Sequence, residues 1–366
     1  MKKLFKLLPA LLLMAGFSAC SEDDNDNGTG TGSQSTETKG AYIVNYGGTE
    51  TSAISKFDYD ANKTSTCYYQ MQNGKKPLSN IQWAYNYDGK VYLIGNFPDQ
   101  ILVTDETFTV VDTITENVAN PRNCIADGNY LYISCWGESP DWGKMADSYI
   151  LKYNIETGSS EKIACAGGPE GLEIANGKLY IALNYANQIA VMDLNTEEFS
   201  DIKTNAVSSY FAKDASNNLY VTLVSTYSNG SESENVGLGY INTSTDELTF
   251  YKSSFGMSAA YAQTIAISND GAKVYLATAI YAEDGYTVTE DGVSTFDTAS
   301  KSFDKTPFAS GVSGINGVSV NPENNDVYVF ISASTTDNGT MKVYSNGKFV
   351  KDYTVGVSPA MAIFID

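Results

Sequence analysis

Histidine is absent from all 366 residues, and arginine occurs once, as Arg122. The first absence removes Ser–His and Cys–His nucleophile pairs, imidazole acid–base work and histidine-bearing metal sites. The second removes any clamp built from several guanidinium groups. Positive charge is scarce in general: 23 Lys and Arg stand against 43 Asp and Glu, a net charge of -20. Such a field repels phosphate backbones and acidic membrane faces, so nucleic acid is not expected as a partner. Proline is sparse too, 9 residues against 31 Gly and 26 Tyr. That balance favours many short strands joined by tight turns over helices, and a hydrophobic content of 42% excludes a disordered chain.

Long apolar runs are missing except for one. Leu7 to Phe17 follows Lys2, Lys3 and Lys6; it is long enough for an export signal and too short to span a bilayer. The next stretch, Phe17-Ser18-Ala19-Cys20, resembles a bacterial lipobox, in which small residues precede a Cys that is diacylated and becomes the mature N-terminus. Phe17 stands where Leu is usual. The expected organisation is a signal peptide over 1–19, a lipidated Cys20 with a flexible acidic and Gly/Ser/Thr-rich tether over 20–40, and a folded domain over 41–366. Ser21-Glu22-Asp23-Asp24 resembles the acidic signal that sends lipoproteins to the outer face of the outer membrane in some Gram-negative anaerobes, and it reads equally as a solvated charge run. The remaining cysteines, Cys67, Cys124, Cys135 and Cys165, match no metal-ligand spacing and are expected as buried thiols. Three of them fall in one stretch, which leaves three disulfide pairings open.

The folded part repeats itself. A strand of the form apolar-Tyr-apolar recurs at Tyr92, Tyr132, Tyr180, Tyr220, Tyr275 and Tyr328, and Ala41-Tyr42-Ile43-Val44 supplies a seventh copy. A short apolar strand and a turn precede most copies: Asp88-Gly89, Asp127-Gly128, Asn176-Gly177, Asn217-Asn218 and Asp270-Gly271. These dipeptides tolerate positive φ and so join antiparallel hairpins. A third strand follows each Tyr strand and ends in a polar turn, at Asp58, Asp105, Asn154, Asp193, Asn242, Asp297 and Ser345. Short Asp and Asn side chains bond to backbone just ahead of them, which makes these residues hairpin builders rather than catalysts. A fourth strand, such as Thr109-Val110-Val111 or Phe349-Val350, closes each unit of roughly 40 to 55 residues. The pattern predicts an all-β, seven-bladed β-propeller of four-stranded antiparallel blades. Its first copy begins at a second strand and its last is followed by a spare strand, Met361 to Ile365, so the C-terminal strand is expected to pair with the N-terminal blade and close the ring.

In such a ring one face carries the loops that lead into each innermost strand together with those that leave each second strand. Equivalent positions on leaving the second strands read Asn45-Tyr46, Asn96-Phe97, Cys135-Trp136 and Asn184-Tyr185, and longer loops carry Trp142, Tyr227 and Tyr281. These rings are expected to line one mouth of the channel, with the amides of Asn45, Asn96 and Asn184 beside them, although aromatic residues also pack between blades. A rim of rings suits a broad, flat, partly conjugated ligand, each stacking contact contributing about 1 to 3 kcal/mol. Replacing Trp136 and Tyr185 by alanine is then expected to weaken binding by several kcal/mol and to leave stability nearly unchanged. Trp83, Arg122, Glu170, Tyr210 and Gln263 lie near the starts of innermost strands and reach the same face. Arg122 reads either as a bidentate clamp for a ligand phosphate or carboxylate or as a structural residue bonding nearby carbonyls.

The segments Gly168-Pro169-Glu170-Gly171-Leu172-Glu173-Ile174 and Leu179-Tyr180-Ile181 carry a repeat that resembles the YncE-like seven-bladed propellers over nearly all of the mature chain. With the lipobox and the acidic stretch, the chain looks most like the BtuG-type surface lipoproteins, which capture cobalamin over a TonB-dependent outer-membrane transporter. The resemblance implies vitamin B12 as bound ligand with no catalytic cofactor, that transporter as partner, and membrane attachment through the lipid anchor alone, facing the cell exterior. A propeller binding a siderophore, a glycan or another protein is the alternative. An enzyme of lactonase or lyase type would depend on Glu138, Asp141 and Asp147, which share one loop. Loop acids in so acidic a chain are more often solvated.

Overall fold

The structure is a computed structural model that describes residues 39–48, 51–226, 228–284, 287–311 and 313–365. The signal peptide, Cys20 and Tyr227 lie outside these described residues. Seven antiparallel sheets make a β-propeller. Blade 1 joins the C-terminal strand Pro359–Ile365 to Gly40–Asn45, Ala53–Asp58 and Lys63–Ser65. Blades 2 to 7 follow in chain order, with innermost strands Asn80–Tyr87, Pro121–Asp127, Pro169–Ala175, Val207–Lys213, Ile265–Ile267 and Ile315–Val320. The closing pair runs in register from Gly40 opposite Ile365 to Val44 opposite Met361. Both ends of the described chain thus sit in one sheet, and Gly40–Asn45 is paired on both sides.

The turns form for the reasons their residues suggest. Asp88 and Gly89 take φ of 50° and 68°, and Asn176 and Gly177 take 51° and 74°, the left-handed pair that a two-residue hairpin requires. Further out, the Asp105 carboxylate accepts the backbone N–H groups of Thr107 at 2.9 Å and Thr109 at 3.0 Å, and Asp193 accepts those of Asn195 and Thr196. The acids at the ends of the third strands are therefore turn builders.

The repeated tyrosines all stand in second strands and fill the junctions between blades. Seven apolar clusters form, one per junction, the last joining Tyr328 and Phe330 of blade 7 to Ile43 and Phe57 of blade 1. Tyr180 is fully buried and its hydroxyl reaches across to Asp246 of blade 5 at 2.6 Å. Cys124, Cys135 and Cys165 are free and buried in the junctions on either side of blade 3, whereas Cys67, expected as a buried thiol, is half-buried and disulfide-bonded. Burial pushes the thiols of Cys135 and Cys165 up to about 12 and that of Cys124 upward as well. Folded protein at about pH 8 is expected to leave these three thiols unmodified by iodoacetamide, with mass spectrometry finding them labelled only after unfolding. Labelling of the native state would mean that a junction opens.

Candidate functional site

Five innermost strands carry an irregularity at the same height. The register shifts between Ile81 and Trp83, Pro121 and Asn123, Pro169 and Leu172, Ser208 and Phe211, and Ile315 and Gly317. An extra residue in one strand bends it and re-aims a side chain. The residues at these bulges include Gln82, Arg122, Glu170 and Tyr210, and they meet across the channel. The Arg122 guanidinium donates to Glu170 through Nε at 3.1 Å and Nη2 at 3.1 Å, and through Nη1 it makes a very short contact with Oε1 of Gln82. The Tyr210 hydroxyl donates to Glu170 Oε1 at 2.7 Å. Trp83 of blade 2 then stacks on Tyr210 of blade 5, their planes 8° apart and centroids separated by 5.7 Å. Four blades are cross-braced by one buried polar chain. Gly171 makes this approach feasible: a Cβ there would lie 2.3 Å from the Ser209 carbonyl oxygen.

Every member of the chain except Trp83 is buried, with Glu170 only 1% exposed. Burial pulls the Arg122 guanidinium down, the Glu170 charge beside it pushes up by more, and the net effect holds Arg122 protonated. Arg122 is thus already engaged by a carboxylate and is not an open clamp for a ligand anion. This resolves the two sequence readings of Arg122 toward the structural one, with Glu170 and Gln82 in place of loop carbonyls.

Burial also raises the Tyr210 hydroxyl well above its ordinary value of 10.0, as it does those of Tyr149, Tyr180 and Tyr59. A group whose folded pKa is raised contributes stability that is complete below its unfolded value and is lost as pH climbs toward the folded one. The melting temperature is accordingly expected to fall above about pH 10. A melting temperature that stays flat through that range would show that these hydroxyls ionise freely in the fold.

Above Arg122 lies the aromatic mouth. The guanidinium carbon sits 4.4 Å from the Trp136 ring centre and 4.6 Å from that of Tyr261, in the corner between two rings whose planes differ by 77°. Trp136 also meets Trp142 and Tyr185 edge to face, at 6.0 and 5.6 Å, and its Nε1 donates to the Pro169 carbonyl at 3.0 Å. Trp136 is buried, Tyr185 half-buried, and Tyr261 and Trp142 are 44% and 61% exposed. Burial, then the Glu170 charge, pushes the Tyr261 hydroxyl up to about 12, so it stays a neutral donor near neutral pH.

Tyr46 is half-buried and close enough to Tyr261 to influence its ionisation. The Tyr281 hydroxyl accepts the Ala259 N–H at 2.9 Å and so anchors the loop that carries Tyr261. Phe97 is 64% exposed and makes no ring contact among the described residues. The three amides do not stand open at the mouth. Asn45 is fully buried, its Nδ2 donating to the carbonyls of Ile43 and Ala53 and to Ser55 Oγ. Asn96 and Asn184 are buried as well. Asn45 ends its strand, and carbonyls of that strand and of its neighbour Ala53–Asp58 hold the side chain inside the sheet.

The three loop acids are exposed. Asp141 accepts the backbone N–H groups of Gly143, Lys144 and Met145, which lowers its pKa, and so shapes the turn in which Trp142 has a φ of 50°. It has the role of a turn builder. Tyr261 and Gln82 are the members of this site that the sequence reading passed over. Gln82 carried one usable signal, a polar residue in an apolar innermost strand at the position of Arg122 and Glu170; Tyr261 sits in an irregular loop with no repeated counterpart.

No family model matches the chain, and no curated protein matches it in sequence. Solved structures do. A quinonprotein alcohol dehydrogenase-like protein from Bacteroides thetaiotaomicron is 17% identical, with a TM-score of 0.64 over 89% of this chain and 78% of that one. A Bacteroides fragilis protein with a provisional 6-phosphogluconolactonase assignment is 14% identical, with a TM-score of 0.62 over 92% of this chain and all of its own. A catalytically inactive virginiamycin B lyase from Staphylococcus aureus, solved with quinupristin, is 14% identical with a TM-score of 0.52 over 74% and 82% of the two chains. At these identities the likeness establishes the propeller fold.

Proposed function

We propose that the protein is a surface lipoprotein that captures a broad, flat ligand, cobalamin, at the aromatic mouth of its propeller and passes it to a TonB-dependent outer-membrane transporter. The observation that carries this reading is the group of rings at one end of the channel. Trp142, Tyr185 and Tyr261 surround Trp136, partly open to solvent, above a guanidinium already neutralised by Glu170. A neutral apolar platform of this width favours stacking by a large uncharged or weakly charged ring system. The pairing with Glu170 leaves the Arg122 guanidinium unavailable to an anionic siderophore. Binding rather than catalysis is favoured because the chain has no histidine and the loop acid Asp141 is engaged by backbone. Attachment to the membrane is through Cys20 alone in this reading, as the lipobox resemblance implies.

Purified full chain mixed with cyanocobalamin and then desalted is expected to keep a corrinoid absorption band, and to keep no ferric siderophore or oligosaccharide under the same treatment. A colourless protein after desalting would remove the cobalamin reading.

A further inference from the structure

On the same face a polar groove of about 620 Å3 runs between blades 4 and 5. Asn187 borders it from the loop leaving the second strand of blade 4, and Asn205 from the loop leading into blade 5. Ser225, Ser231, Ser233 and Asn235 border it from the long loop leaving the second strand of blade 5. Gly230 and Glu232 complete the lining, so among the described residues it holds amides, hydroxyls and one carboxylate.

The side chains of Asn187, Asn205 and Asn235 make no hydrogen bond among the described residues. In the same turn as Asn187, Asn184 is 3% exposed; its Oδ1 accepts the Ser209 hydroxyl, but its Nδ2 has no partner among the described residues. Its carbonyl accepts Asn229 Nδ2 at 3.3 Å, tying this turn to the long loop of blade 5. Asn187 lies two residues from Tyr185, so the groove starts within about 7 Å of backbone from the aromatic mouth.

We propose that this groove holds an uncharged, hydrogen-bonding arm, rich in carboxamides or hydroxyls, of the ligand whose flat part lies on the mouth rings. The inference rests on the capture reading above and extends it to a second contact region. Amides and hydroxyls both donate and accept, so they pair with an uncharged polar arm in either sense. A phosphate or carboxylate would find no cation among the described lining residues and would face Glu232 within a chain of net charge -20.

The test titrates the full chain and an Asn187→Ala, Asn235→Ala variant with three probes: cyanocobalamin, a cobyrinate ester in which methyl esters replace the ring carboxamides, and a neutral oligosaccharide. Circular dichroism confirms that the variant is folded. Wild type is expected to bind cyanocobalamin roughly 10- to 100-fold more tightly than the ester, and the variant to lose most of that preference while still binding the ester. An unchanged preference in the variant would overturn the groove proposal and leave the capture reading intact. If wild type binds neither corrinoid, the capture reading fails and the oligosaccharide decides for the groove. Binding abolished by the same two substitutions would keep it as a sugar site; no binding would overturn it.

Discussion

Replacing Glu170 by alanine is expected to destabilise the protein by roughly 3–5 kcal/mol, the range seen when one partner of a buried ion pair is removed. The reason lies in what remains. Arg122 would keep its charge in a closed channel, still between Trp136 and Tyr261, with Gln82 as its remaining polar partner in the chain and no carboxylate beside it. The Tyr210 hydroxyl would lose its acceptor at the same time. Removing both charges with Arg122→Met and Glu170→Leu is expected to cost much less, because well-packed apolar groups of similar volume often replace a buried pair without loss. Chemical unfolding of the two variants checks this directly. Equal destabilisation by both would mean that the site is sensitive to shape and that charge pairing contributes little.

The second large effect concerns binding. Trp142→Ala combined with Tyr261→Ala is expected to weaken cobalamin binding by about 2–4 kcal/mol, two stacking contacts at about 1 to 3 kcal/mol each with some overlap. Both rings are substantially exposed; Tyr261 also rests on Arg122, so its loss removes one contact of about 0.5–2 kcal/mol and should lower the melting temperature only modestly. This pair replaces Trp136 and Tyr185 as the clean test. Trp136 is 5% exposed, bonds the Pro169 carbonyl and rests on Arg122. Truncating it opens a cavity, an effect of about 3–5 kcal/mol for a buried Trp, so lower affinity in that variant would be mixed with lower stability. The sequence expectation that Trp136 could be removed without cost to the fold is thereby corrected.

The ring of blades was legible in the sequence because it is written seven times. Tyr92, Tyr132 and Tyr180 recur in the same hairpin context, and Asp88-Gly89 or Asn176-Gly177 marks the turn ahead of them by a requirement on φ that few residues meet. The closing strand was legible for the same reason, as a copy with no partner in its own repeat. The mouth was legible only in part. Position along each repeat placed Trp136, Trp142 and Tyr185 at one end of the channel, but it could not tell which ring lies under the others.

Nor could it foresee the cross-channel chain. Gln82, Arg122, Glu170 and Tyr210 are separated by 40 residues or more and meet only because bulges turn each of them toward the axis. Asn45 failed as a rim residue through local chemistry of a kind that periodicity does not carry. An amide at the end of a central strand finds carbonyls at hydrogen-bonding distance and turns inward. Tyr261 was missed because its loop belongs to no repeat, yet the Tyr281 hydroxyl holds that loop from the end of the second strand of blade 6.

The mouth as a neutral stacking platform is tested most directly by calorimetric titration of cyanocobalamin into the wild-type chain and into the Trp142→Ala, Tyr261→Ala variant. The account predicts one saturable site on the wild type and an affinity at least 30-fold weaker, about 2 kcal/mol by the usual conversion, on a variant whose melting temperature is only modestly lower. Equal affinity for the two proteins would contradict it.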